Sequence, residues 1–177
     1  NIDTTKDHAG VTLGFGTVPG RLLTTAGDVD IRVDSSPAST TKRHGIWLVP
    51  AQIISSTGDI GASVIASSGV NSVAWSIVSG SQIFTRGQIL LEDRGSASAS
   101  MGNVTLSSSS QVTVRSDKLA FASGAGITGS AAVALESFGT SFSAAVDTTN
   151  LTVGSAISSL RIGKTSNTSA ITLGNSM

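Results

Sequence analysis

The sequence predicts an all-β protein built as a parallel β-solenoid of roughly eight coils, with a coil length of about twenty residues. Three observations carry that expectation. Short apolar–polar–apolar phrases ending in glycine recur along the chain, most plainly at Asn150–Gly154, Ser159–Gly163 and Ala170–Gly174. Openings of the form Gly-Asp/Asn-apolar recur at Gly27, Gly58 and Gly102, as they would if successive coils turned at one corner. The Asn-Gly and Asp-Gly dipeptides that favour tight hairpins are both absent. Phrases this short cannot bury a core alone, so each must lie against similar ones.

In chain order, residues 1–26 are weakly patterned, with Val11–Leu13 the first candidate strand. The segment Gly27–Asp34 is stronger. Val29, Ile31 and Val33 share one face and Asp28, Asp30, Arg32 and Asp34 the other, because side chains alternate along a strand. Ser35–Arg43, containing Pro37, reads as a protruding polar loop, and Gly45–Val49 as a more apolar strand stopped by Pro50. Strands are then expected at Ile60, Val73–Val78, Gln82–Phe84, Gln88–Leu91, Val104–Leu106, Gln111–Val114, Lys118–Phe121 and Ala131–Leu135. Alanines around Ala131 are the one place where helix competes. The three glycine-ended phrases complete a single segment, with irregular coils over 27–145 and short repeats over 146–177. Ser, Thr and Asn at the turns are expected to stack in register and satisfy one another's hydrogen bonds.

Composition narrows the role. Only 12% of residues are charged, with eleven basic against eleven acidic, so the concentrated cationic surface that nucleic acid requires is not expected. Hydrophobic residues make up 39% but aromatics only 4%, so Val, Ile, Leu and Ala must build the core. The chain has no cysteine, which removes disulfides, zinc–thiolate sites and cysteine nucleophiles together. No apolar run is long enough to span a membrane as a helix. Asn1 opens the chain without an initiator Met or signal peptide, so a piece of a longer protein is expected.

The Gly-Asp openings at Gly27 and Gly58, with Gly45-Ile46-Trp47-Leu48, Gly102-Asn103-Val104-Thr105-Leu106 and the run from Leu151 to Gly174, resemble the filamentous haemagglutinin family of bacterial surface adhesins. The resemblance runs from about Gly27 onward and is closest in the last thirty or so residues. It implies a right-handed β-helix, secretion to the cell surface and a role in attachment.

Few residues suggest chemistry. Asp28, Asp30 and Asp34 share a face on which other β-helix proteins hold catalytic or calcium-binding carboxylates, but Arg32 lies among them and is expected to pair with them. Glu92-Asp93-Arg94 reads as a polar loop before Gly95, within a decorating stretch Glu92–Ser100, and Asp59, Asp117, Glu136 and Asp147 as scattered single acids. His8 and His44 stand apart, and Lys42-Arg43-His44 reads as a small cationic loop. Trp47 is expected to face outward or into a coil corner, and Trp75 to join the core. Triplets of the glycosylation type begin at Asn103, Asn150 and Asn167, as chance allows in so Ser/Thr-rich a chain.

The expected role is therefore a non-enzymatic structural or adhesive segment of an extracellular bacterial fibre. It would hold no cofactor or metal, touch a surface glycan or protein through the side of the rod, and associate end to end or continue into a longer chain. A polysaccharide-degrading β-helix enzyme and a phage tail-fibre segment are the alternatives.

Overall fold

A computed structural model of the chain describes residues 8–14, 18–35, 43–66, 73–77, 80–95, 98–102 and 104–174. Among these residues there are nineteen strands and no helix. The first sheet holds β1 (His8–Leu13), β4 (Arg43–Leu48), β7 (Val73–Ile77), β10 (Ser98–Met101) and β13 (Leu119–Phe121). The second holds β2 (Gly20–Thr24), β5 (Ala51–Ser55), β8 (Ser81–Thr85), β11 (Val104–Ser108), β14 (Ala125–Gly129) and β17 (Leu151–Val153). The third holds β3 (Val29–Ser35), β6 (Ile60–Ala66), β9 (Gln88–Asp93), β12 (Gln111–Arg115), β15 (Ala132–Glu136) and β18 (Ser159–Ile162). A short fourth sheet pairs β16 (Val146–Asp147) with β19 (Ile171–Thr172).

Every pairing is parallel, and each joins a strand to the one three places further along the chain. Consecutive strands therefore never pair; the chain visits the three sheets in turn. Alternation decides which side chains go inside. In the third sheet Val29, Ile60, Ile89, Val112, Val133 and Leu160 stand in one register column, and Ile31, Ala62, Leu91, Val114, Leu135 and Ile162 in the next. The second sheet contributes Ile53, Ile83, Leu106 and Ile127. All join one hydrophobic cluster, sealed in its middle, where Leu106, Val112 and Ile127 have no exposed surface. Parallel strands need this burial, since their ladders gain little from being wet. Trp75 is buried in that cluster, and Trp47 faces outward between the buried Ile46 and Leu48, as alternation demands.

The corner between the second and third sheets is built from hydroxyls and glycines. Ser55, Thr85 and Ser108 point inward and are fully or almost fully buried. Ser55 Oγ donates to the Gly27 carbonyl (3.0 Å) and accepts from Gly58 N–H (2.9 Å). Thr85 repeats the pattern with Gly58 and Gly87, and Ser108 donates to Gly87 (2.6 Å). Each hydroxyl thus ties its own turn to the previous one, and the backbone groups freed at the bend find partners. Just outside, Asp28 Oδ1 accepts from Asp59 N–H (2.8 Å) and Asp59 Oδ1 from Gln88 N–H (2.7 Å).

Several expectations need correcting. The three glycine-ended phrases do not lie on one another: β17, β18 and β19 belong to three different sheets, because a ten-residue spacing is the length of one side. Successive strands of a sheet are 31 residues apart at Arg21–Gln52, 30 at Ala51–Ser81 and 21 at Arg115–Glu136. With repeats this long, the two deepest sheets hold six strands among the described residues, against the roughly eight coils expected. Gly102 opens β11 in the second sheet, whereas Gly27 and Gly58 precede β3 and β6 in the third, so it is not a third copy of that corner. Strands β2, β5 and β14 are additional to those expected, whereas the strand expected at Ala131–Leu135 is present as β15. Most of the Ser35–Arg43 loop lies outside the described residues, as do Lys42 and Asn103; Arg43 and His44 begin β4, and His8 begins β1.

Candidate interaction surface

Outward-facing side chains of the second and third sheets form two surfaces of different character. On the second sheet Arg21 Nε donates to Gln52 Oε1 (2.9 Å) and Gln52 Nε2 to Gln82 Oε1 (3.3 Å), a stack of planar groups one strand apart. Beside it, in register, stand Leu23, Ile54 and Phe84, with Leu23 and Phe84 both exposed.

The third sheet carries the charge. Glu92, Arg115 and Glu136 occupy one register column across β9, β12 and β15. Arg115 Nη1 reaches Glu92 Oε1, and Arg115 Nη2 reaches Glu136 Oε1 at 2.6 Å. Arg94 closes one end through Glu92 Oε2 at 2.7 Å, and Arg161 the other through Glu136 Oε2 at 2.8 Å. Both carboxylates are nearly buried under the guanidiniums, at 5% and 7% exposure, while the terminal Arg94 and Arg161 remain about half exposed at 49% and 57%. Burial works against ionisation of Glu136, but hydrogen bonds from Arg115 and Arg161 outweigh it and hold the carboxyl below its usual range. The Arg94 guanidinium also sits 5.8 Å from the Phe138 ring centroid, and Lys164 Nζ donates to the Phe138 (3.0 Å) and Gly139 (2.6 Å) carbonyls beside it.

This overturns the reading of Glu92-Asp93-Arg94 as a loop and of Glu136 as a scattered acid. Glu92 and Asp93 end strand β9, and Glu136 ends β15 two strands away, so parallel registry lines up residues far apart in sequence. Ser98–Ser100, assigned to the same loop, lie in β10. In the sequence Glu92, Arg115 and Glu136 each close an apolar stretch, but repeats of unequal length hide that these three ends meet. Glu136→Gln is expected to destabilise the protein by roughly 2 kcal/mol, because Arg161 loses its carboxylate and Arg115 keeps only one. Urea denaturation at low and high salt checks this; part of the difference should disappear at high salt.

Asp28, Asp30 and Asp34 do not converge. Asp28 is engaged with the Asp59 backbone, and Asp30 Oδ2 pairs with Arg32 Nη2 at 2.7 Å on the exposed face. No comparison names a relative. Family models, curated proteins and solved structures all fail to match this chain. Among the described residues no group of three or more His, Cys, Asp or Glu side chains is placed to hold a metal ion, and no helix is long and apolar enough to cross a membrane. Asn150 Nδ2 donates to the Phe121 carbonyl and Asn167 Oδ1 accepts from Ser141 Oγ, so both amides hold neighbouring turns together.

Between β3 and β9 the third sheet has a depression of about 220 Å³. Its floor is Gly61 and Ser63 of β6; Asp30 and Arg32 form one wall and Leu90, Glu92 and Arg94 the other.

Proposed function

We propose that this chain is a segment of a right-handed parallel β-solenoid acting as a structural and adhesive rod of a bacterial extracellular surface protein. The observation that carries the reading is the pairing rule: each strand joins, in parallel, the strand three places on. Chain that repeatedly visits three sheets in order grows along one axis, adding strands without adding width. Such growth suits a spacer or filament that presents side surfaces to a partner. The charged third-sheet column and the amide and apolar columns of the second sheet are surfaces of that kind, spread along the stack instead of gathered in a cleft. The likeness of the glycine-ended phrases to those of surface adhesins supports placing the rod outside a bacterial cell.

The edges of β17, β18 and β19 support end-to-end association. Among the described residues nothing pairs with the outer edges of β17, β18 and β19, and Leu160, Ile162, Ile171 and Leu173 line an open apolar cleft there. Unpaired strand edges over exposed core side chains are a template for more strands. Sedimentation velocity and negative-stain electron microscopy of the purified chain test this. Elongated particles lengthening with concentration are expected, and Leu173→Asp should shorten them. Compact particles of one size at every concentration would overturn the rod, and a stable trimer would favour a phage-fibre role.

A further inference from the structure

We propose that the depression over Gly61 and Ser63 binds a single carboxylate-bearing ligand of sugar-acid size, held between the guanidiniums of Arg32 and Arg94. The depression exists because β6 presents its two smallest outward residues, Gly61 and Ser63, between strands that present Asp30 and Arg32 on one side and Leu90 and Glu92 on the other. The space is open: a Cβ placed on Gly61 would meet nothing nearer than Asp30 Oδ1 at 3.8 Å.

Charge chooses the ligand's sign. Asp30 and Arg32 balance each other. The column beyond them does not balance, since Arg94, Arg115 and Arg161 share only Glu92 and Glu136. The surplus positive charge reaches the surface at the two ends of the column, at Arg161 and at Arg94, and Arg94 stands on the wall of the depression. Arg94 spends Nε and Nη2 on the same oxygen, Glu92 Oε2. Arg32, opposite, touches Asp30 through Nη2 and is 81% exposed. Two guanidiniums across a small-residue floor suit a planar carboxylate, whose two oxygens match the guanidinium fork.

The remaining lining chooses the size and body. A volume of 220 Å³ is below the several hundred Å³ typical of drug-sized sites, so one small unit fits. Leu90 offers an apolar contact for a ring face, while Ser63 and Asp30 can exchange hydrogen bonds with ligand hydroxyls. A bare inorganic anion would leave these groups unused. The site does not depend on the rod associating end to end or on its cellular location, so it can stand or fall independently of them.

Backbone amide NMR titration of the whole chain with sodium D-glucuronate tests the proposal, with D-glucose and sodium sulfate at matched ionic strength as comparisons. Saturable shifts are expected on the amides of Arg32, Gly61, Ser63 and Arg94, with glucose and sulfate each weaker by at least roughly tenfold, the ratio that one charge-assisted contact supplies. Gly61→Val fills the depression while leaving every charge in place, and should abolish the shifts without lowering the melting temperature. Arg94→Gln should weaken binding by a similar factor. Absence of saturation at tens of millimolar glucuronate, equal response to glucose or sulfate, or unchanged binding in Gly61→Val would overturn the proposal.

Discussion

Gly58→Val is expected to destabilise the protein by roughly 3 kcal/mol, at the upper end of what overpacking usually costs. A Cβ built on Gly58 lies 2.4 Å from the Gly27 carbonyl oxygen and 2.5 Å from its carbon, and both are backbone atoms that cannot swing aside. The clash comes from the corner itself, where each turn passes directly over the one before it and Ser55 bonds to both. The same argument predicts a contrast that sequence alone would not. Gly27 opens a similar Gly-Asp-apolar phrase, yet its Cβ would meet only Thr24 Oγ1, at 3.3 Å, because no described turn precedes it at this corner. Gly27→Val should therefore cost well under half as much as Gly58→Val. Paired urea melts of the two variants check this, and equal losses would mean that the corner does not stack as described.

The second large effect is one of pH. Asp93 is fully buried at the inner end of β9, where Gly95 N–H donates to Oδ1 (2.9 Å) and Ser116 Oγ to Oδ2 (2.9 Å). Burial pushes its carboxyl up to about 6, against the lowering effect of these two hydrogen bonds and of Lys118; nearby Asp117 adds to the rise. Between the ordinary carboxylate value of 3.8 and about 6 the folded chain holds a proton that the unfolded chain has released. Stability must then fall as pH rises through that interval and level off above it, by about 3 kcal/mol in all. Asp93→Asn should remove the slope and make the variant more stable than the parent at pH 7, while the two converge near pH 4. The amide also suits the neighbours: its N–H₂ donates to Ser116 Oγ, whose hydroxyl is then free to donate to the Lys118 carbonyl it already approaches at 3.2 Å.

Glu136 acts in the opposite sense. Its carboxyl is held below the usual range, so its contribution is complete above the ordinary value of 4.5 and is lost as pH falls through its depressed one. The two groups together place the stability maximum on the acidic side of neutrality. Thermal melts of the parent and both variants across pH 3 to 8, all read by far-ultraviolet circular dichroism, separate the two contributions.

The sequence by itself determined that the chain is all β, which faces are dry and where the Gly-Asp corners fall. Those properties are local: alternation at Val29, Ile31 and Val33 needs no knowledge of a partner strand, and Trp47 and Trp75 take opposite sides by parity alone. It also showed Asp30 beside Arg32, two residues apart on one strand face. What only the tertiary structure decided is which strand lies on which. Repeats of 31, 30 and 21 residues have no fixed period to read, so the meeting of Glu92, Arg115 and Glu136 was invisible in the sequence, and the three final phrases looked like neighbours. The physical reason is that parallel registry is set by the inward columns, where Ile89, Val112 and Val133 must pack side by side. Loops of any length can satisfy that packing, and the charged residues outside are carried into place by it.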